Sequence, residues 1–330
     1  MSVLALSNRQ MARLLSHAMA YEAVKSALIC HAQGKYQQPL KPYIRPLGRE
    51  DEYHGGRFIA MPSYLGDPFR TAGIKWIAGF PANVEKGIPR ASGVFVLNNV
   101  ETGEPVAVME CAVLSAMRTA AVAAIAFDSL AAPGFNRVAV IGAGPIAKAV
   151  IEALAEGPRN IDHVSVYDLN TKRTGMLIQQ VCDHTSLAIR STDRLNDCLS
   201  DAHVVISATT AKEAYVSLAH IPVVTLVIAL SLDDFSSDVF LSAKVVVDDF
   251  DQCNREEKLL HRLVKQRRFS RERVQAELGE ILIGSKPGRE KPDELIYVNP
   301  MGMGIEDLAV ATVVFRGAIE FGVGSTIFNE

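Results

Sequence analysis

The residues of this chain best suited to chemistry are a glycine turn, two cations in apolar surroundings and a doubled acid. Arg137-Val-Ala-Val-Ile-Gly-Ala-Gly-Pro-Ile-Ala runs through a helical stretch to His163-Val-Ser-Val-Tyr-Asp, so a strand, a glycine turn, a helix and a second strand end on Asp168. Gly142 permits a tight turn. Gly144 lets a pyrophosphate approach the backbone at a helix N-terminus, where unpaired N–H groups and the helix dipole favour negative charge. Ala143, Pro145 and Ile146 complete that cradle, and Ala147 is small enough for the helix to pack on the strand. Asp168 would accept hydrogen bonds from an adenosine ribose. A glycine pair alone is a weak signal; strand, glycines, helix, strand and acid in this order make a strong one. The competing reading is a glycine turn in an α/β protein that binds no dinucleotide. The charge of Asp168 would repel a ribose 2′-phosphate, which argues for NAD, while Lys172 and Arg173 nearby keep NADP open.

Lys75 lies in Ala72-Gly-Ile-Lys-Trp-Ile-Ala, a strand that is otherwise apolar. A lysine is rarely buried unless paired. Either it faces water from a half-exposed strand, or it serves a site, and its same-face neighbours Gly73 and Ile77 are no polar stripe. Arg118 sits among small residues in Ser115-Ala-Met-Arg-Thr-Ala-Ala. Its planar fork suits a carboxylate; the alternative is an arginine snorkelling from a packed helix. Thr119 could donate to a phosphate if the start of its helix points towards the cofactor. Asp233 and Asp234 follow an apolar strand at what should be its carboxyl end, where ligands bind in open α/β sheets. An acid there can shuttle a proton at an amine; equally, Asp234-Phe-Ser-Ser-Asp could open a helix as an N-cap.

These residues need a scaffold. Ser7-Asn-Arg-Gln fits a capping box, and the apolar residues from Met11 to Leu28 recur at helical spacing, which predicts one long amphipathic helix stopping near Gly34. Residues 35–56 read as a loop with short extended pieces. Strands are expected at 57–61, 72–78, 93–98 and 105–109, and such grouping before any strand–helix alternation suggests a separate α+β domain. An alanine-rich helix spans 112–130. Alternation then sets in: strands at 138–141, 164–167, 204–207, 223–229 and 244–247, with helices to 156 and over 171–183. Near-continuous Val/Ile runs mark strands buried on both faces of a parallel sheet. Residues 256–266 and 271–278 read as polar helices, 284–292 as a loop and 306–321 as a final helix that can return to the first domain.

The totals exclude several classes. The chain has 330 residues, 48% hydrophobic and 22% charged, with 34 Lys+Arg against 37 Asp+Glu for a net charge of -3. Two domains with a sizeable core are expected. Nothing points to nucleic acid or a membrane surface as a partner. No signal peptide is evident, and the longest apolar stretch, near 223–230, is too short for a bilayer, so a cytoplasmic location is expected. Five scattered cysteines argue for reduced thiols, with Cys111 a small buried hydrophobe, and histidine spacing supports no metal site.

Taken together, Gly73-Ile-Lys-Trp-Ile-Ala-Gly-Phe-Pro, Gly87-Ile-Pro-Arg-Ala-Ser-Gly-Val, Leu97-Asn-Asn-Val-Glu-Thr-Gly-Glu-Pro, Arg118-Thr-Ala-Ala and Ile141-Gly-Ala-Gly resemble the signature blocks of the ornithine cyclodeaminase/mu-crystallin family, in its order and over nearly the whole chain. The loop Leu230-Ser-Leu-Asp-Asp-Phe-Ser-Ser-Asp departs from the Gly-Asp-x-Pro-Gly-Lys type of the true cyclodeaminases. With Gln38-Pro-Leu-Lys-Pro-Tyr-Ile-Arg-Pro, Val246-Val-Asp-Asp-Phe-Asp and Tyr297-Val-Asn-Pro-Met-Gly-Met-Gly, it resembles the branch that makes L-2,3-diaminopropionate for siderophores and peptide antibiotics. Members of that branch oxidise N-(2-amino-2-carboxyethyl)-L-glutamate with NAD, and imine hydrolysis releases diaminopropionate and 2-oxoglutarate.

The resemblance implies an α/β fold with two domains. One is a Rossmann-type doubly wound parallel sheet binding NAD, residues 119–304; the other is a discontinuous α+β substrate-binding and dimerisation domain, residues 1–118 with 305–330. It implies a homodimer acting on a small amino-acid substrate. Arg45, Lys75 and Arg118 would hold substrate carboxylates, with Lys75 also counted as catalytic. Asp234 falls on the acid/base position by its spacing to Leu241, the adjacent Asp233 being the alternative. Thr119, Thr209, Met301 and Gly302 join the glycine turn and Asp168 in the cofactor site, the last two lining the nicotinamide pocket. Other readings are an ornithine cyclodeaminase, a cyclic ketimine reductase, or a dinucleotide-dependent binding protein without turnover; retention of Lys75, Arg118 and Asp234 together disfavours the last.

Overall fold

The computed structural model describes residues 2–46, 56–222, 225–231, 233–255 and 258–328. The chain opens with strand β1 (Val3–Leu6) and helices α1 (Asn8–Leu14) and α2 (His17–Ala32). Short strands β2 (Tyr36–Gln37) and β3 (Tyr43–Ile44) precede β4 (Arg57–Leu65), β5 (Thr71–Gly79), β6 (Ala91–Asn98) and β7 (Pro105–Glu110). Helix α3 (Ala112–Leu130) leads into β8 (Arg137–Ile141), α4 (Pro145–Glu156), β9 (His163–Tyr167), α5 (Thr171–Cys182), β10 (Ile189–Ser191) and α6 (Leu195–Leu199). Then come β11 (Val204–Ser207), β12 (Leu226–Ala229), α7 (Ser237–Ser242), β13 (Lys244–Val247), α8 (Phe250–Cys253) and α9 (Leu259–Lys265). The chain ends with β14 (Val274–Glu277), α10 (Leu278–Leu282), β15 (Ile296–Asn299), α11 (Gly304–Glu320) and β16 (Ser325–Ile327). Contacts divide it into two compact units: Met1–Arg118 with Met303–Glu330, and Thr119–Gly302.

The second unit holds a wholly parallel sheet in the order β10-β9-β8-β11-β12-β15-β13-β14. Every residue of β11, β12 and β15 is buried, which is why these strands are rich in Val, Ile and Leu on both faces rather than alternating apolar with polar. β9 and β10 run outward from β8 on one side and β11 and β12 on the other, so the order reverses between β8 and β11. Ligands of such sheets bind beyond the carboxyl ends of the strands at that reversal.

The first unit is a mostly antiparallel sheet, β16-β1-β7-β6-β5-β4-β2, with β3 also on β4 and β1 parallel to β7. Strand alternation sorts its faces. Lys75 pairs across with Met61 and Phe95, which are buried, so its side chain points inward. Trp76 pairs with Ala60 and Val94 on the other face, where Trp76 and Val94 are 37% and 39% exposed and Phe58 stacks on the indole. On the inner face α11 supplies Asp307, whose Oδ2 lies 2.6 Å from Lys75 Nζ.

Several expectations are corrected. The capping box at Ser7 forms, but the long helix breaks at Leu15, which is extended, and Ser16 caps a new one by accepting from the Met19 N–H. Helical periodicity survived the break because both helices bury the same kind of face. The stretch 271–278 is not a helix: after a 3-10 turn, β14 joins the sheet edge beside β13. Strand β15, in mid-sheet between β12 and β13, is not among the expected strands, being only four residues long after a loop. Within the stretch expected as a helix over 256–266, α9 covers Leu259–Lys265, and residues 256–257 lie outside the described residues. Residues 223–224 of the strand expected at 223–229 also lie outside them. Helix α3, with 19 residues, is by length and composition apolar enough to cross a membrane, unlike the shorter stretch near 223–230. Its Ala120, Ile125 and Leu130 are fully buried, as in a core helix.

The Lys75–Asp307 pair is sealed from water, with side chains 2% and 0% exposed. Removing one partner strands a buried charge, so Lys75→Met should cost about 3–5 kcal/mol. Replacing both, Lys75→Met with Asp307→Leu, should recover most of that loss. Urea unfolding midpoints of the two variants check this; a single variant as stable as the double one would contradict it.

Candidate active site

In the second unit, the carboxyl end of β8 turns at Gly142, whose φ of +104° and donation to the Tyr167 carbonyl (2.7 Å) draw the chain tightly back on β9. A Cβ there would sit 2.7 Å from the Ala208 carbonyl oxygen, so glycine is required by the fold itself. Gly144 differs. It is the N-cap of α4 with an ordinary φ of −91°, no side chain caps the helix, and a Cβ would meet nothing within 4 Å. The protein leaves open space at a helix N-terminus whose first N–H groups have no intrahelical partner, a disposition that fits a phosphate. Pro145 occupies the first helical position, Ile146 follows half-buried, and Ala147 is fully buried against the sheet.

Asp168, one residue past β9, binds both sides of this cradle: Oδ2 accepts from the Ala143 N–H and Oδ1 from the Asn170 N–H, each at 2.8 Å. Each oxygen keeps a lone pair for a ribose hydroxyl. Asn170 caps α5 by accepting from the Lys172 N–H.

Beyond β11 and β12 stands a second group. Asp234 is 1% exposed, and its carboxylate is held by hydroxyls. Thr209 Oγ1 donates to Oδ1 at 2.5 Å, and Ser231, itself bonded to Ser207, donates to Oδ2. The Tyr215 and Val216 N–H groups bind the Asp234 carbonyl and pin its backbone. Burial pushes the Asp234 carboxyl above the ordinary carboxylate range; hydrogen bonds from Thr209, Ser207 and Tyr215 oppose the rise, and the Asp233 charge adds to it. Asp233 is committed elsewhere, to Arg262 at 2.8 Å. Asp234 does not cap a helix, since Ser236 is the N-cap of α7.

Met301 and Gly302 follow β15. Both N–H groups donate to one oxygen of Asp248, at 2.9 and 2.6 Å, and Gly302 takes a φ of +73° to allow it. Thr119 lies inside α3 and not at its start, so the condition for its reaching a phosphate from a helix N-terminus is not met.

In the first unit, Lys75 Nζ is bound by Asp307 Oδ2 and by Ser115 Oγ at 3.2 Å. Arg118, 16% exposed, reaches Glu306 Oε2 at 3.3 Å and Asp307 Oδ1 at 3.6 Å. Two cations and two anions thus share one buried cluster. Burial pulls the Lys75 ammonium below its ordinary range, Asp307 opposes this, and the Arg118 charge adds to it. Cys111 beside them is buried, its thiol pushed up to about 11 by desolvation. Arg45 is exposed after β3, its guanidinium 5.4 Å from the Tyr43 ring centre. Among the described residues, no group of three or more His, Cys, Asp or Glu side chains could hold a metal ion.

Sequence reasoning gathered Lys75 with Arg118 and missed what joins them. Glu306 and Asp307 look like dipole-complementing acids in the first turn of a helix. A buried lysine, however, demands an anion from an equally apolar context, and the start of α11 is such a context. Thr209, expected in the cofactor site, bonds Asp234; the roles of Ser207, Ser231 and Asp248 have no local sequence signal, since they stand at the ends of three different strands.

The sequence profile of the ornithine cyclodeaminase/mu-crystallin family matches residues 2–320. The N-((2S)-2-amino-2-carboxyethyl)-L-glutamate dehydrogenase of Staphylococcus aureus (strain NCTC 8325 / PS 47) is 38% identical over 316 residues, 94% of each chain. The Thermococcus litoralis Delta(1)-pyrroline-2-carboxylate reductase in complex with NADH and L-proline superposes with a TM-score of 0.93 at 29% identity, over 98% of this chain and 100% of that one. An archaeal alanine dehydrogenase dimer with bound NAD gives 0.89 at 29% identity, over 99% of each. With a profile matched nearly end to end and relatives aligned over almost their full length, the chain belongs to the ornithine cyclodeaminase/mu-crystallin family.

Proposed function

We propose that this chain is an NAD-dependent dehydrogenase that oxidises the glutamate Cα–H bond of N-(2-amino-2-carboxyethyl)-L-glutamate. Water then cleaves the imine to L-2,3-diaminopropionate and 2-oxoglutarate. The observation that carries the reading is Asp234: a buried carboxylate, raised by desolvation and held by hydroxyls rather than a cation, at the carboxyl end of a parallel sheet. Identity of 38% to the Staphylococcus aureus enzyme over 94% of both chains supports the substrate.

The residue types fit the chemistry. When bound, NAD accepts the hydride from Cα. The open N-cap at Gly144 suits its pyrophosphate and Asp168 its adenosine ribose, and the Asp168 charge disfavours a 2′-phosphate. The substrate amine must be unprotonated for hydride to leave, and Asp234 takes that proton. The same group then assists water onto the imine carbon, and collapse of the carbinolamine breaks the C–N bond. The Thr209 and Ser231 hydroxyls fix the carboxylate's orientation. Three substrate carboxylates call for cations, the role given to Arg45, Lys75 and Arg118. Because Glu306 and Asp307 neutralise two of these, the pair Lys75/Arg118 offers directed donors rather than surplus charge. A cyclic imine reductase is the second reading, favoured by the Thermococcus litoralis neighbour.

The apolar face bearing Trp76, Val94 and Phe58 supports a homodimer, as does the dimeric state of the archaeal neighbour.

Purified protein with the glutamate adduct and NAD should form NADH and 2-oxoglutarate in equal amounts. Reduction of Δ1-pyrroline-2-carboxylate with no turnover of the adduct would shift the assignment to the second reading. Asp234→Asn should lower turnover by about 10²–10⁴-fold, the usual contribution of a general base, with NADH binding retained. Since Asp234 acts ionised, wild-type activity should rise with pH through its raised folded pKa and fall away on the acid side. A variant with wild-type turnover, or a wild-type rate flat down to the ordinary carboxylate range, removes Asp234 from the mechanism. Trp76→Asp should shift the sedimentation of the protein from dimer towards monomer; an unchanged dimer would place the interface elsewhere.

A further inference from the structure

We infer that Asp248 is a positioning residue for the nicotinamide end of the dinucleotide, acting through the Met301–Gly302 turn. The inference rests on the reading of the second unit as an NAD-binding unit in which Met301 and Gly302 line the nicotinamide pocket.

Strands β13 and β15 are neighbours, with Val247 opposite Asn299, so Asp248 and Pro300 leave the sheet side by side. Asp248 is fully buried, and no Lys, Arg or His among the described residues forms an ion pair with it. Its charge is balanced by dipoles instead. Oδ2 accepts from the Met301 and Gly302 N–H groups, and Oδ1 from its own neighbour's N–H at Asp249 (2.9 Å) and from the Cys253 thiol (3.3 Å). The thiol also faces the Asn299 carbonyl at 3.1 Å. Burial holds Cys253 well above the ordinary thiol range, so it stays a protonated donor. A carboxylate can accept from two converging N–H groups on one oxygen, whereas an amide nitrogen presents donors to donors. An amide at residue 248 cannot satisfy both pairs of donors, so the shape of the turn depends on the acid there. Asn299, which opens the turn, is 7% exposed, and its side-chain nitrogen has no hydrogen-bond partner among the described residues. That is an open donor at the carboxyl end of a mid-sheet strand, where ligands of such sheets bind.

The test compares two ligands on the whole protein. NADH carries the nicotinamide; ADP-ribose has the same adenosine, pyrophosphate and ribose without it. Asp248→Asn should weaken NADH binding about tenfold or more, the scale of a lost hydrogen bond to a charged group, and leave ADP-ribose binding within about twofold. Cys253→Ala, which removes one donor and keeps the carboxylate, should show the same split at smaller size and keeps the test alive if Asp248→Asn does not fold. Equal weakening of both ligands, or of neither, overturns the positioning role. Wild-type protein that binds ADP-ribose but gains nothing from the nicotinamide overturns the underlying reading of the turn, and one that binds neither overturns the cofactor reading itself.

Discussion

Buried charge, and what it must be paired with, is the constraint from which the rest of this structure follows. Lys75 lies on the inner face of an apolar sheet, where an unpaired ammonium would cost several kcal/mol. Asp307 answers it at 2.6 Å, and Glu306 answers Arg118, so the start of α11 must come to β5 and α3 although some 190 to 230 residues separate the partners in sequence. A helix that returns to the first unit after the whole second unit has been built is a consequence of that demand as much as of apolar packing. The chain crosses between units within α3 and again at Gly302–Met303.

The second unit solves the same problem without cations. Asp234 and Asp248 are both buried carboxylates past strand ends, and their environments set them apart. Hydroxyls and a phenol surround Asp234, a neighbouring acid repels it, and its pKa rises, which suits a group that takes and returns a proton. Backbone N–H groups and a thiol surround Asp248, whose four donors tie the carboxylate to the shape of a turn. The adjacent Asp233, paired with Arg262, shows how one residue of register changes a role. Two identical letters in sequence became a half-buried ion pair and a buried carboxylate held by hydroxyls.

Much of the fold was legible. The switch from grouped strands to alternating strands and helices, the Val/Ile runs and the alanine-rich α3 are all local signals, each set by which faces are buried. Elements whose identity depends on neighbours were not. β15 is four residues long and is a strand because β12 and β13 flank it. β14 follows polar residues and is a strand because the sheet edge accepts it. The break at Leu15–Ser16 interrupts an otherwise continuous apolar period, and only the cap made by Ser16 marks it.

By itself, the amino-acid sequence determined the family, the parallel sheet, the glycine turn with its acid, and the short list of cations and acids able to do chemistry. These depend on residue type and near-neighbour spacing. The tertiary structure alone decided which of those residues share an environment. Lys75 is buried and not solvent-facing because Asp307 is there to meet it. Of the two consecutive acids, Asp234 enters the hydroxyl cage and Asp233 does not, because the turn pinned by Tyr215 and Val216 points them apart. Thr119, promising as a neighbour of Arg118, lies mid-helix rather than at a helix start. Charge, desolvation and hydrogen-bond partners come from strand ends and helices far apart along the chain, and only folding brings them within the few ångströms over which they act.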